Sequence, residues 1–544
     1  MSDHETDDGV LVVGAGPAGL TATAELLRRG VPVHCVDRAS GPSGLSKALG
    51  VWPRTVELFH RLGGARHVAA EALPQAAMRY YSSGRLVADI RFRRPTHQPM
   101  AFPQPAVESL LREAVERLGG SVSWETTLLS LAQDAGGVTA RLREPDGTVV
   151  ARRYRYAVGA DGAGSRVREE LGVSFEGATH ELGFVVADIA MDTTLQHDVT
   201  HYFCSDKGIL VTCGLPDGRW RVFTSGPPGM SRDEVDLSLV QRLVDERGPG
   251  GLRLRDPEWI SVFAVHARHA DRMRVGRVFL VGDAAHIHSP AGGQGLNTGV
   301  TDAHNLAWKL ALAWRGRCAP ELLDSYAAER GQVARAVIRQ AEVQTRIWLL
   351  RRRYEVAARD AALRLASGTR LFHLGYLPWL AGFRTRYGTA MAGSRPQDGC
   401  RPGALVPARP VWDEDRRRRL PLRHALDDLR YTLVVHTSGP LDRPTEGLLS
   451  WIDAQCADVV DVRVLHRRTR VLGRRRPAVG AGPSRRWRGR DCGLVLVRPD
   501  GHVDACVAGD RAELVRRRLA ELLRPAGGPA GRIEGTRDGN LIVS

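Results

Sequence analysis

Residues 282–297, GDAAHIHSPAGGQGLN, hold the residue types best suited to chemistry. The stretch Ser289-Pro290-Ala291-Gly292-Gly293-Gln294-Gly295 cannot be helix: proline fixes φ, and the glycines favour open or left-handed backbone. A loop of bare amides that feeds a helix suits an electron-rich group, because free N–H groups and the helix dipole converge on it. Asp283 can accept hydrogen bonds from a polyol. A phosphate loop would carry Lys with Ser or Thr, and this one does not. The ligand implied is a flat, polar-edged ring with a sugar-like tail. His286 and His288 are spaced as two metal ligands could be, but no second ligand pair accompanies them. They are expected to pack at a strand end, with no metal.

Several elements must position that loop. Residues 277–281 form an apolar run the size of a buried strand, and from Asn297 onward Val300, Ala303, Leu306, Ala307 and Leu310 recur at helical spacing. Near the start, a strand over 9–13 leads into Gly14-Ala15-Gly16-Pro17-Ala18-Gly19, a helix over about 20–29, and a strand over 32–36 that ends at Asp37. This is a dinucleotide fingerprint in context: the first glycine turns the chain, the second admits a pyrophosphate, and the third lets helix and strand pack closely. Asp37, 23 residues after Gly14, stands where an acid takes a ribose hydroxyl.

Between these stretches, a Gly/Ser/Pro loop leads to Lys47, and Pro53 opens a helix over about 54–62. A hairpin is expected around Ser83-Gly84. Gln104 precedes an amphipathic helix over 106–118, and Asp161-Gly162 is a turn signal. Apolar runs at 183–190, 209–214, 220–224 and 259–265 read as strands. Tyr202, Phe203, Trp220 and Phe223 are candidate pocket aromatics, with plain sheet packing the alternative for each. Later, helices are expected over 322–344 and 347–366, then a Pro/Gly-rich linker. A strand at 431–435, a helix at 446–454, and strands at 459–464, 494–497 and 503–507 around Asp500-Gly501 follow. A helix at 510–523 precedes a Gly-rich tail expected to be mobile.

At 544 residues the chain exceeds a single core. Its 43% hydrophobic and 25% charged content is that of a globular protein. The net charge is +16, and of 77 basic residues only Lys47, Lys207 and Lys309 are lysine. The basic runs at 416–419 and 467–490 come with no recognition module or aromatic platform, so nucleic acid is not an expected partner. No apolar stretch of about 18 residues offers a membrane span, and no signal peptide is visible. The eight cysteines form no CxxC, which points to reduced thiols in a cytoplasmic protein.

The segment GDAAHIHSPAGGQGLNTG, followed by DAHNLAWKLA, resembles the second FAD motif of the class A flavin monooxygenases, the aromatic hydroxylases of p-hydroxybenzoate hydroxylase type. It is most similar to the long branch that acts on phenols and aromatic polyketides. The resemblance implies an α/β fold: a Rossmann-type FAD domain over 1–173 and 271–394 (the latter with connecting helices), an inserted β-sheet substrate domain over 174–270, and a thioredoxin-like domain without CxxC over 395–544. The phrase VRPDGHV fits that last domain, although Ala505-Cys506 stands where relatives carry Trp-Arg.

By the same resemblance FAD is held by Gly14, Gly16, Pro17, Ala18, Gly19 and Asp37, with Arg38 toward the adenine. Asp161-Gly162 matches the Asp-Gly motif, and Gln104 the flavin-side glutamine. Asp283 and the amides of Gly292, Gly293, Gly295, Leu296 and Asn297 would meet the flavin, with Pro290 shaping the reaction site and the substrate pocket. Lys47 lies in a loop where the family often presents Arg, which puts a bidentate or stacking contact in doubt. Lys47 is the lone catalytic candidate, because the cofactor supplies the hard chemistry.

The reaction implied uses NADPH or NADH, FAD and O2. It inserts one oxygen atom into an electron-rich aromatic, of the polycyclic polyketide phenol type, through a flavin C4a-hydroperoxide. No second GxGxxG gives the nicotinamide its own domain. Baeyer–Villiger oxygenation or ring opening of a ketone or quinone, and a non-catalytic flavin-binding protein, are the alternatives. A monomer or homodimer acting on a small aromatic molecule is expected.

Overall fold

The computed structural model describes residues 9–524, apart from 93–97, 227–229, 231–234, 370–371, 398, 438, 467–469 and 474–491. The expected mobile tail and most of the second basic run lie outside the described residues.

The apolar run VLVV forms the strand Val10–Val13, buried on both faces. Such a strand belongs in the middle of a parallel sheet covered by helices. It pairs in parallel with Val33–Val36 on one side and Tyr156–Gly159 on the other. Val278–Leu280 extends the sheet beyond Tyr156–Gly159, so the two distant motifs become neighbours. The helices Pro17–Leu27, Gln104–Arg117 and Gly295–Trp314 pack against this core. Both of the first two begin earlier than periodicity implies, with a proline in the first turn where its missing N–H costs nothing.

The second sheet is almost wholly antiparallel, with eight strands in the order His286–Ile287, Arg253–Ala270, Phe175–Asp192, Trp220–Ser225, Gly208–Gly214, Val199–Ser205, Ala77–Ser82, Arg85–Arg91. The hairpin around Ser83-Gly84 forms as expected, with Ser83 and Gly84 at positive φ. It joins this sheet through a parallel pairing of Ala77–Ser82 with Val199–Ser205. The sheet therefore draws in strands from before and after residues 174–270.

The C-terminal unit is a seven-stranded sheet, with Tyr431–Thr437 central between Val460–His466 and Cys492–Val497. Helices Arg443–Gln455 and Ala512–Leu522 pack on it. The strands Pro410–Asp413, Arg418–Pro421 and Arg470–Gly473 add to the anticipated order.

The unit is fixed to the rest by buried charge. Arg498 donates to both Glu329 oxygens at 2.6 and 2.8 Å, and Lys309 Nζ donates to the same carboxylate at 2.9 Å. Asn305 Nδ2 donates to Glu329 and to Asp500, and Arg54 Nη2 to the Asp500 carbonyl. Charges this deep persist only when paired and hydrogen-bonded, so the Asp500-Gly501 turn has one place to sit. All eight cysteines are free and buried. No described helix is long and apolar enough to cross a membrane.

Candidate functional site

A cavity of about 1360 Å³ runs from the Gly14–Gly19 turn, past the 282–297 loop, to one face of the eight-stranded sheet. At its nucleotide end the three glycines have three distinct reasons. Gly14 has φ +107°, and a Cβ there would lie 2.3 Å from the Ala160 carbonyl oxygen. A Cβ on Gly19 would lie 1.8 Å from the Gly14 oxygen. Gly16 has nothing within 4 Å of its Cβ position and lines the cavity, so its bareness leaves room for a ligand.

Pro17 and Ala18 continue that wall, and Arg38 stands beside Asp37 at the rim. The Asp37 carboxylate accepts from Ala15 N at 2.6 Å and Ala39 N at 2.8 Å. It thus fixes the glycine turn while each oxygen keeps a lone pair for a diol. Asp161 accepts from Ser165 Oγ at 2.5 Å and Val167 N at 3.1 Å. Burial nevertheless raises its carboxyl above the ordinary range. Gly162, at φ +81°, opens to the cavity. Arg168 donates to the carbonyls of Ala163 and Ala284, which sets this turn against the 282–285 turn.

At the ring end Asp283 is open to the cavity but ringed by protein; burial raises its carboxyl, against the pull of His286 and Lys47. Lys47 lines the cavity from the 41–49 loop. Gln104 holds that loop: its Oε1 accepts from Ala48 N at 3.1 Å, and its Nε2 donates to Glu108. Pro290, Gly292, Gly293, Gly295 and Leu296 form the wall, with Gly292 and Gly293 at φ +83° and +61°.

Asn297 stands behind that wall rather than in it. Its Oδ1 accepts from Trp52 N at 2.8 Å, and its Nδ2 donates to the carbonyls of Gly50 and Gly293. His286 Nε2 lies 2.6 Å from Asp302 Oδ2, and Arg330 Nε donates to the other Asp302 oxygen at 2.5 Å. His288 Nδ1 lies 2.7 Å from the Ser289 carbonyl oxygen, and burial lowers its pKa to about 4.

The floor follows from strand alternation. Tyr202 and Phe223 face the cavity. Phe203 and Trp220 do not: Phe203 stacks on Tyr81 at 4.7 Å, and Trp220 meets His197 edge-on in the core beneath. Neighbours two residues away on their strands, Thr200 and Arg221 among them, share the cavity face and were not anticipated. The alternation of Val199–Ser205 was the signal that could have found Thr200. Trp348, at the end of the helix Glu321–Trp348, also lines the cavity, and nothing local in the sequence marks it.

Residues 7–341 match the family profile described as FAD binding domain. The chain is 37% identical over 445 residues to 6-methylpretetramide 4-monooxygenase of Streptomyces rimosus, covering 78% of this chain and 79% of that protein. The chain belongs to the FAD-binding-domain family of flavin-dependent aromatic monooxygenases. Among solved structures, the flavin-dependent monooxygenase PieE in complex with FAD and substrate superposes with a TM-score of 0.77 at 28% identity, over 95% of this chain and 100% of that one. A ternary complex of aklavinone-11 hydroxylase with FAD and aklavinone gives 0.72 at 27% identity, over 96% and 99%.

The site fits the family's cofactor on its own terms. A single small-molecule site measures roughly 300–1,000 Å³, and this cavity exceeds that, as a dinucleotide with a second ligand requires. The bare Gly16, the open lone pairs of Asp37 and the cavity-facing Asp283 line its length.

Proposed function

We propose that this flavin-dependent monooxygenase uses NADPH or NADH and O2 to add one oxygen atom to an electron-rich aromatic, of the polycyclic polyketide phenol type. The observation that carries the reading is the continuity of one cavity from the Gly14–Gly19 turn to an aromatic sheet face. The extent of the likeness to the 6-methylpretetramide enzyme supports the substrate class.

FAD, when bound, supplies hydride acceptance and O2 activation. The chain's own residues do the rest. Gly16, Pro17 and Ala18 admit the pyrophosphate, Asp37 takes ribose hydroxyls, and Asp283 takes those of the ribityl chain. The wall from Pro290 to Leu296 seats the ring edge, and Asn297 stiffens it from behind through Trp52 and Gly50. Tyr202, Phe223 and Trp348 enclose the aromatic substrate and exclude water from the reacting centre. Lys47 places a cation beside Asp283 at the mouth, where a nicotinamide enters. No side chain need act as an essential acid or base.

The test is the visible spectrum of the purified protein, then NADPH oxidation with and without a panel of phenolic polycycles. The expected result is a yellow protein whose NADPH use rises with one compound. Its product gains one oxygen, located by NMR on an aromatic carbon. A ring-expanded ester would move the reaction to Baeyer–Villiger chemistry. A protein that cannot be loaded with FAD would overturn the reading.

A further inference from the structure

The cavity face of the eight-stranded sheet is divided into two rungs that cross the strands side by side. Cross-strand pairing runs Tyr202, Val211, Phe223, Val186, Ser261 along one rung. Two residues along each strand lies the other: Cys213, Arg221, Asp188 and Trp259 in register, with Thr200 Oγ1 3.6 Å from Cys213 Sγ at its end. The first rung is aromatic and aliphatic but for Ser261 and the Tyr202 hydroxyl; every member of the second carries a group that can hydrogen-bond, a hydroxyl, a thiol, a guanidinium, a carboxylate and an indole N–H in turn. Every member except the buried Asp188 lines the cavity.

The polar rung is satisfied by its own members and their neighbours except at one guanidinium nitrogen, and that decides what it can offer. Arg221 Nε and Nη2 donate to the two Asp188 oxygens at 2.7 and 2.6 Å, and Trp259 Nε1 donates to Asp188 at 3.0 Å. Arg221 Nη2 also donates to Ser46 Oγ at 2.7 Å, in the loop that carries Lys47. The ion pair is neutral as a unit, which is the condition for burying it. No described residue accepts from Arg221 Nη1. At the far end, Thr200 Oγ1 donates to Gln75 Oε1 at 3.0 Å, and Cys213 Sγ donates to the same oxygen at 3.4 Å. With its proton committed there, the Thr200 oxygen presents lone pairs.

We infer that the polar rung is the orienting edge of the substrate site. It takes the oxygenated long edge of a flat, multi-ring aromatic: Thr200 accepts from a hydroxyl, and Arg221 donates to a phenolic or carbonyl oxygen. The apolar rung lies under the carbon framework. This rests on the aromatic-substrate reading above and adds which edge faces which strand position. Two strand spacings separate Thr200 from Arg221, about 10 Å, which two oxygens about 5 Å apart on one edge bridge with a hydrogen bond of about 2.8 Å at each end. A neutral pair suits uncharged oxygens better than a carboxylate, so one-ring aromatic acids are poor ligands.

The experiment compares two isomers of one formula. In 1,8-dihydroxyanthracene both oxygens lie on one long edge; in 1,5-dihydroxyanthracene they lie on opposite edges. Binding to the full-length protein is read by quenching of tryptophan fluorescence, since Trp259 and Trp348 line the cavity. The wild type is expected to favour the 1,8 isomer by about fivefold to tenfold. Thr200→Val is near-isosteric and should abolish the preference, and Thr200→Ser should keep it. Arg221 is left in place, because its removal would strand Asp188 in the sheet. Equal binding of the isomers by the wild type, binding of neither, or a preference that survives in Thr200→Val would overturn the inference. Failure of the catalytic reading looks different: discrimination persists while no phenol stimulates NADPH oxidation.

Discussion

The two ends of the cavity are made from different parts of the polypeptide. At the nucleotide end the wall is backbone, bare at Gly16 and Gly162 and closed behind by Gly14 and Gly19. At the substrate end the wall is side chain, supplied by alternate residues of antiparallel strands. A backbone wall forbids a Cβ at fixed places, so its demands are written as glycine. A side-chain wall demands only that every second position carry the right group, so the same strand serves the cavity and the core beneath it. Damage at the first end should fall on cofactor binding or on closure of the fold, glycine by glycine. Damage at the second should switch between stability and substrate binding from one residue to the next.

The strongest test of that contrast uses the strand Trp220–Ser225. Trp220→Ala empties the core side of the sheet and should cost about 3–5 kcal/mol in unfolding free energy. Phe223→Ala, on the cavity side, should cost less and should raise KM for the aromatic substrate while FAD stays bound. Chemical denaturation with parallel kinetics reads both, and the reverse pattern would mean the two faces are exchanged.

A smaller effect is expected from the glycine pair. Gly19→Ala pushes a methyl into the Gly14 oxygen and should cost about 1–3 kcal/mol of apo-protein stability. Gly16→Ala meets nothing in the protein. It should leave apo-protein melting unchanged while weakening FAD binding by about tenfold or more, measured by flavin fluorescence. Equal FAD loss with equal destabilisation in both variants would remove the distinction.

That contrast also explains what the sequence disclosed. The turns at 14–19 and 282–297 were legible because glycine and proline at fixed spacing mark backbone geometry directly. The acid at Asp37 was legible for its position, while its hold on Ala15 N and Ala39 N depends on a turn that only folding makes. The substrate face was read through aromatics, which picked Tyr202 and Phe223 but also Phe203 and Trp220, since residue type carries no sidedness. Thr200 and Arg221 went unnoticed: a threonine and an arginine in a strand look like solvent-facing residues until the register places them over a cavity. The pairing of Ala77–Ser82 with Val199–Ser205 joins residues more than a hundred positions apart and leaves no local trace. Asp500-Gly501 was recognisable as a turn, but its burial against Arg54 and Asn305 depends on partners in another unit.

The smallest expected effect lies where the two ends meet, at Asp283. Its carboxyl is raised by burial, so the folded apo-protein holds that proton more tightly than the unfolded chain does. Stability is therefore lost as pH rises from the ordinary aspartate range through the folded pKa. Asp283→Asn removes the charge without changing the shape. Its apo-protein should melt slightly higher than the wild type at neutral pH, and the difference should vanish below the ordinary aspartate range, where both chains are neutral. The same substitution should weaken FAD binding, because an amide accepts hydrogen bonds from the ribityl hydroxyls less strongly than a carboxylate. A gain in stability joined to a loss of cofactor is the signature of a group kept for its ligand rather than for the fold. Thermal melts across pH, with and without FAD, would show it. A variant that melts lower than the wild type in the absence of FAD would place Asp283 among the structural residues of the 282–285 turn instead.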